Sequence, residues 1–219
     1  MLIEPFFKVY GLLISKNKNT MGLFRKKDSG QGNEPASLLK EGFLFFGELV
    51  KVIVISLAII IPIRYFLIQP FYVKGASMEP TFVDHQYLIV DELSYRIREP
   101  KRGEIVVFRY PLKPSEFFIK RIIGLPGETV RLENDNVFVR IDKGVEKIIK
   151  EPYLMGGEPL GKNMAVTLGE NEYFLLGDNR DASLDSRVFG AVHERFITGR
   201  VIFVGWPLSE IGFYKAPSY

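Results

Sequence analysis

The sequence predicts a mainly β protein: an N-terminal single transmembrane helix followed by an extracytoplasmic all-β, barrel- or sandwich-like domain. Three observations carry that prediction. One long apolar stretch lies in the N-terminal third. From Phe71 onward, short runs of branched and aromatic residues alternate with turn residues. Thirteen prolines and twenty glycines among 219 residues point to a turn-rich chain, more β than α.

The apolar stretch runs from Glu48 to Ile68. Val52–Ile63 contains no charge, and Tyr65–Ile68 extends the run past Arg64. A crossing needs about 20 mostly apolar residues. The stretch reaches that length by including Leu49, Val50, Lys51 and Arg64, the two long basic side chains reaching out towards the interfaces. The alternative reading of the same run is a buried core helix. Arg25, Lys26, Lys27 and Lys40 precede the run, whereas only Arg64 and Lys74 lie at or beyond its end. That asymmetry places the N-terminus in the cytoplasm and the rest outside a plasma membrane. The chain then divides into a cytoplasmic segment 1–47, a helix 48–68 and an extracytoplasmic domain 69–219. A cleaved signal peptide fits the first residues poorly, because Pro5 and Lys8 interrupt the apolar start. Asp28–Pro35 reads as a linker, Met21 as an alternative start, and Phe71 and Tyr72 as aromatic anchors at the interface.

Strands are expected at Tyr87–Val90, Ile105–Tyr110, Phe117–Ile123, Thr129–Leu132, Val137–Ile141, Tyr173–Leu176 and Arg200–Val204. Gly103, Leu125-Pro126-Gly127, Asn134-Asp135-Asn136 and Gly177-Asp178-Asn179 punctuate them. The stretch Asp142–Ala165, with Pro152, Gly156-Gly157 and Pro159, reads as a loop-rich excursion from the main sheet.

Composition removes several functions. A formal charge of +3 gives no concentrated basic stripe, so no nucleic-acid partner is expected. With no cysteine there is no thiol catalysis, disulfide or cysteine metal site. Gly75-Ala76-Ser77-Met78-Glu79 lacks the second glycine of a hydrolase elbow. His85 and His193 lie outside any H-E-x-x-H neighbourhood and read as surface or turn residues. Asp181, Ser183 and Asp185 alternate like calcium ligands, but Val192 stands where the bidentate Glu belongs. No metal and no organic cofactor are expected.

A serine and a lysine remain in unusual settings. Ser77 follows small residues that allow close backbone approach and precedes Pro80, which stiffens the chain. Such a turn can present a hydroxyl and aim N–H groups at an oxyanion, although a plain turn serine has the same pattern. Lys120 sits within the apolar run Phe117–Ile123, sharing a strand face with Phe118 and Ile122. It is either an edge-strand guard with its amine in water or a buried amine. Burial disfavours the ammonium, and a neutral amine can take a proton from a serine. Arg121, on the opposite face, cannot act as that base because a guanidinium does not deprotonate. The segment Gly177–Gly190, GDNRDASLDSRVFG, is either a solvated turn or a loop that orders a site from behind.

Taken together, GASMEPT after the apolar run, RGEIVVF at Arg102–Phe108, FIKRIIGLPGETV at Phe118–Val130 and GDNRDASLDSRVFG resemble bacterial type I signal peptidases. The resemblance covers Ile68 to Pro207, with the motifs in the family's order. It implies a membrane-bound serine endopeptidase with a Ser–Lys dyad, Ser77 as nucleophile and Lys120 as general base, acting through an acyl-enzyme. It implies that Ser183 hydrogen-bonds and orients the lysine, that Asp185 and Arg187 brace the loop, and that Asp178 supports it. The oxyanion donor would be the Ser77 N–H; where some members carry a second donor serine, this chain has Gly75. The implied substrates are signal peptides of exported preproteins, cut after A-x-A-like sites, with the lipid bilayer as the other partner and a monomer as the working form. Val73, Met78, Phe82 and Ile119, adjacent to the dyad, are the expected substrate-pocket residues.

Three rival readings stand beside it. One is a self-cleaving Ser–Lys repressor protease, which the apolar run argues against. Another is a relative dedicated to one pilin or conjugation protein. The last is a membrane-tethered β domain that binds partners without catalysis.

Overall fold

The computed structural model describes residues 2–5, 35–66, 68–141, 144–154 and 159–217. The basic residues 25–27, the linker residues 28–34, Met21 and parts of the 142–165 excursion lie outside the described residues.

Helix α1, Pro35–Phe66, starts earlier than the apolar run suggested. Pro35 suits a first helical turn, where its missing N–H is not needed. The most apolar window is Gly42–Ile61, with mean hydropathy 2.5 and none of it buried. It gains its length from Gly42–Gly47 at the front rather than from Arg64–Ile68 at the back. Phe43, Phe45 and Val52 are among its exposed side chains, so this is not the core helix of a globular domain. At 20 residues it is long enough for a crossing.

Every expected strand is present, most extended by a residue or two. The strands are β1 (Leu2–Pro5), β2 (Ile68–Lys74), β3 (Tyr87–Asp91), β4 (Ile105–Arg109), β5 (Phe117–Gly124), β6 (Glu128–Glu133), β7 (Asn136–Ile141), β8 (Lys147–Ile148), β9 (Met164–Thr167), β10 (Glu172–Leu176), β11 (Val192–His193), β12 (Ile197–Trp206) and β13 (Gly212–Phe213), with a short helix α2 (Ser186–Phe189) between β10 and β11. Among the described residues, nine strands form one antiparallel sheet in the order β1-β2-β3-β12-β4-β5-β10-β11, with β13 on β12. Because β1 also pairs with β5, the six strands from β1 to β5 close into a barrel. Strands β8-β7-β6-β9 form a separate small sheet. Its β6–β7 hairpin turns at Asn134 and Asp135, both with positive φ, the residue types that tolerate such a turn best after glycine.

Three apolar clusters organise the packing. Phe71, Val73, Leu88, Val90, Ile105, Val107, Ile119 and Val201 share the barrel cluster. Ile123, Val130, Leu132, Val139 and Phe174 join the small sheet to β5 and β10. Val106, Phe108, Phe118, Ile122 and Leu175 form the third. Phe71 is fully buried in the first cluster, which corrects its reading as an interfacial anchor: alternation along β2 turns Phe71 inward and leaves Tyr72 half-buried.

Candidate active site

Strand β5 is interior, and that decides the character of Lys120. One edge pairs with β4, placing Val106 opposite Lys120. The other edge is shared, with Phe117 and Phe118 facing β1 and Arg121 to Gly124 facing β10. Lys120 is 0% exposed, which removes the edge-guard reading. Its flanking face is apolar, formed by Phe118 and Ile122 with Val106 opposite.

Ser77 lies in the turn just beyond β2. Gly75 takes φ 94°, a conformation that side chains resist, and its N–H donates to Asp84 Oδ1 at 2.9 Å. Turn bonds from Glu79 N–H to the Ala76 carbonyl (3.1 Å) and from Phe82 N–H to the Met78 carbonyl (2.9 Å) set the loop. Ser77 is 1% exposed, and Lys120 Nζ lies 2.7 Å from its Oγ. The same Nζ donates to the Ile119 carbonyl at 2.8 Å. Burial pushes the Lys120 amine down to about 8; Asp185 and Asp178 oppose the shift, and Arg187 adds to it. The pair is therefore a buried amine held against a hydroxyl, and in its neutral form, whose share grows as pH rises towards 8, such an amine can take a hydroxyl proton.

The 177–190 segment is a support, not a solvated turn. Gly177 N–H donates to Asp185 Oδ2 at 3.1 Å, and Arg187 Nε and Nη2 grip Asp185 at 2.8 and 2.9 Å. Asp185 also caps α2, accepting the Arg187 N–H at 3.2 Å. Asn179 N–H donates to the Ser77 carbonyl at 3.1 Å, tying the loop to the serine. Asp178 takes Arg121 Nε at 2.7 Å and Nη2 at 2.5 Å, a pair only 1% exposed on either side. Sequence reasoning assigns Arg121 no role beyond its inability to act as base; here its guanidinium also reaches the Gly103 carbonyl, Tyr214 Oη and Thr81 Oγ1.

Ser183 departs from the expected contact. Among the described residues its Oγ is buried without a hydrogen-bond partner, and it is not among the Lys120 Nζ contacts. It packs against Gly177, where an added Cβ would meet Ser183 Oγ at 2.2 Å and the Ser77 carbonyl at 2.6 Å. Val73, Met78, Phe82 and Ile119, near the dyad in sequence, all belong to the barrel cluster and are at most 2% exposed. Strand β1 runs beside Val73, with Ile3 opposite it in the register.

The signal peptidase family, peptidase S26, matches residues 46–206. This chain belongs to that family. A probable signal peptidase I-2 of Synechocystis sp. is 39% identical over 170 residues, covering 75% of each chain. Signal peptidase I of Bacillus licheniformis is 36% identical over 183 residues, covering 81% of this chain and 97% of that one. Signal peptidase I of Pseudomonas aeruginosa is 33% identical over 230 residues, covering 81% and 80%. As a member of the S26 peptidases the chain is a serine-type hydrolase of the signal peptidase I kind. The repressor-protease and non-catalytic readings fall away.

Proposed function

We propose that this signal peptidase removes N-terminal signal peptides from exported preproteins, cutting after A-x-A-like sites with Ser77 as nucleophile and Lys120 as general base. The observation that carries the proposal is the 2.7 Å contact between a fully buried lysine amine and the serine hydroxyl. Neutral Lys120 takes the Ser77 proton as Oγ attacks the scissile carbonyl, and the Ser77 N–H receives the oxyanion. The protonated lysine then gives its proton to the leaving amine. Water, deprotonated by the same amine, releases the acyl group from Ser77 and leaves the signal peptide's new carboxylate. Asp178, Asp185 and Arg187 hold the loop that backs the pair, and Ser183 packs within it against Gly177.

A groove for an extended substrate follows from the sheet. Without β1, the barrel is open between β2 and the Phe117–Phe118 edge of β5. Ser77 lies just beyond one wall of that gap, and Lys120 lies on the other. A cleavage region entering as a strand gains main-chain hydrogen bonds from both walls. Val73, Met78, Phe82 and Ile119 form the apolar floor that would favour small side chains at −1 and −3.

In the cell α1 crosses the plasma membrane once, with the N-terminus cytoplasmic and the catalytic domain outside, and the enzyme acts as a monomer on signal peptides held in the lipid bilayer. Strands β1 and β2 lie on opposite ends of α1, so a crossing would separate them. In that state the β1 position is vacant and the groove open. The test is cleavage of an A-x-A precursor in detergent or liposomes by the wild type, Ser77→Ala and Lys120→Ala. Cutting after the −1 alanine by the wild type, with both folded variants inactive, supports the proposal. Normal cutting by either variant overturns the assigned chemistry, and a wild type that cuts only one kind of precursor points to dedicated processing.

A further inference from the structure

The loop leaving the small sheet reaches the back of the segment that supports Ser77. Ile149 anchors it in the second apolar cluster, and Glu151 and Tyr153 follow. The guanidinium carbon of Arg121 sits 3.6 Å from the Tyr153 ring centroid, a stacking distance that favours a desolvated cation. Tyr153 Oη donates to Glu151 Oε1 at 2.6 Å, and Arg180 Nη2 donates to the same oxygen. The Arg180 and Glu151 side chains are only 1% and 9% exposed, so each charge depends on the other for solvation. Arg180 Nε then donates to the Gly177 carbonyl at 3.0 Å, and the Arg180 carbonyl accepts from Arg187 Nη2 at 2.5 Å. Gly177 is the residue that abuts the Ser77 carbonyl.

Two lines of contact thus leave this loop and end at the dyad. Glu151 acts through Arg180 on Gly177 and so on Ser77. Tyr153 acts through Arg121, the sequence neighbour of Lys120, and through its partner Asp178 on the 177–179 backbone. We propose that Glu151 and Tyr153 are positioning residues for the peptidase reaction, clamping Arg180 and Arg121 so that the Gly177–Asn179 backbone is held against Ser77. The inference rests on the reading of Ser77 and Lys120 as the reacting pair. Neither residue touches the dyad, so their removal should change turnover more than substrate binding.

The test uses the full chain in detergent with an A-x-A precursor peptide, comparing Glu151→Ala, Tyr153→Leu and Tyr153→Phe below their melting temperatures. Glu151→Ala and Tyr153→Leu are expected to lower kcat about tenfold while KM stays within about twofold, as for a slight misplacement of reacting groups. Tyr153→Phe keeps the ring over Arg121 and should restore most of the turnover lost in Tyr153→Leu. Hydrogen exchange of the Asn179 amide, which donates to the Ser77 carbonyl, should speed up about tenfold in the first two variants. Wild-type kcat in Glu151→Ala and Tyr153→Leu would overturn the clamp. So would unchanged Asn179 exchange with losses that follow only the folded fraction. Should the wild type cut no precursor at all, the peptidase chemistry fails, and Asn179 exchange still decides whether the loop holds this backbone.

Discussion

Lys120 Nζ and Ser77 Oγ, 43 residues apart in sequence, meet at 2.7 Å with both residues at most 1% exposed. Strand β5 brings the amine, the turn after β2 brings the hydroxyl, and the 177–190 segment closes behind them.

The protonation state of Lys120 should govern activity. With its amine pushed down to about 8, kcat/KM is expected to fall about tenfold per pH unit below that value as the base is protonated. A pH–rate profile measures this. Lys120→Arg, which stays charged throughout, should abolish turnover.

The same burial makes Lys120 a cost to stability. Its folded-state pKa of about 8 lies below the ordinary 10.5, so between these values the unfolded chain holds more protons than the folded one. The penalty is present in full below pH 8 and is relieved as pH rises towards 10.5. Lys120→Met is therefore expected to raise stability at pH 7 by a few kcal/mol at most, and by less at pH 10. Urea denaturation at the two pH values checks it.

Gly177→Ala places a methyl 2.6 Å from the Ser77 carbonyl and 2.2 Å from Ser183 Oγ. Activity should drop about a hundredfold, as expected when a reacting group moves by about an ångström. Adding Ser183→Ala removes only the hydroxyl clash, and the backbone clash with Ser77 remains. The double variant should recover little activity in the cleavage assay.

Removing one side of the Arg121–Asp178 pair leaves a buried charge without its partner. Asp178→Ala is expected to cost about 3–5 kcal/mol. Replacing both residues with apolar ones of similar volume should recover much of that stability. Chemical denaturation of the single and double variants provides the comparison.

The N-terminal strand should matter only where it can reach the groove. In detergent both ends of α1 share one phase, and deleting Met1–Thr20 is expected to lower KM by removing β1 from between β2 and β5. In liposomes with α1 across the bilayer the same deletion should leave KM unchanged. A KM shift that is equal in both settings would contradict this arrangement.

Much of the fold was legible because its signals are local. Residue type and spacing marked the long strands from β3 to β12 and the need for a turn at Asn134-Asp135. The strands without a clear local signature are the two-residue β8, β11 and β13, the four-residue β1 and β9, the latter starting inside the stretch read as loop-rich, and β2, which follows closely on the apolar run. Helix α1 begins before the expected Glu48 because Phe43–Phe46 extends the apolar window forward to Gly42. Motif resemblance located Ser77, Lys120 and the 177–190 segment, and implied Asp178, Asp185 and Arg187 as supports.

By itself the sequence determined the strand periodicity, the apolar length of α1 and the family's motifs, because each is written in neighbouring residues. Only the tertiary structure decided whether Lys120 was a guard or a buried amine, since its exposure depends on what pairs with both edges of β5. It decided that Val73 and Ile119 lie in the barrel core, because adjacency along a strand does not say which face is covered. It also brought Glu151 to Arg180 across 29 residues and Arg121 to Asp178 across 57. No local pattern encodes those pairs: each side chain is ordinary in its own segment, and folding alone removes both partners from water.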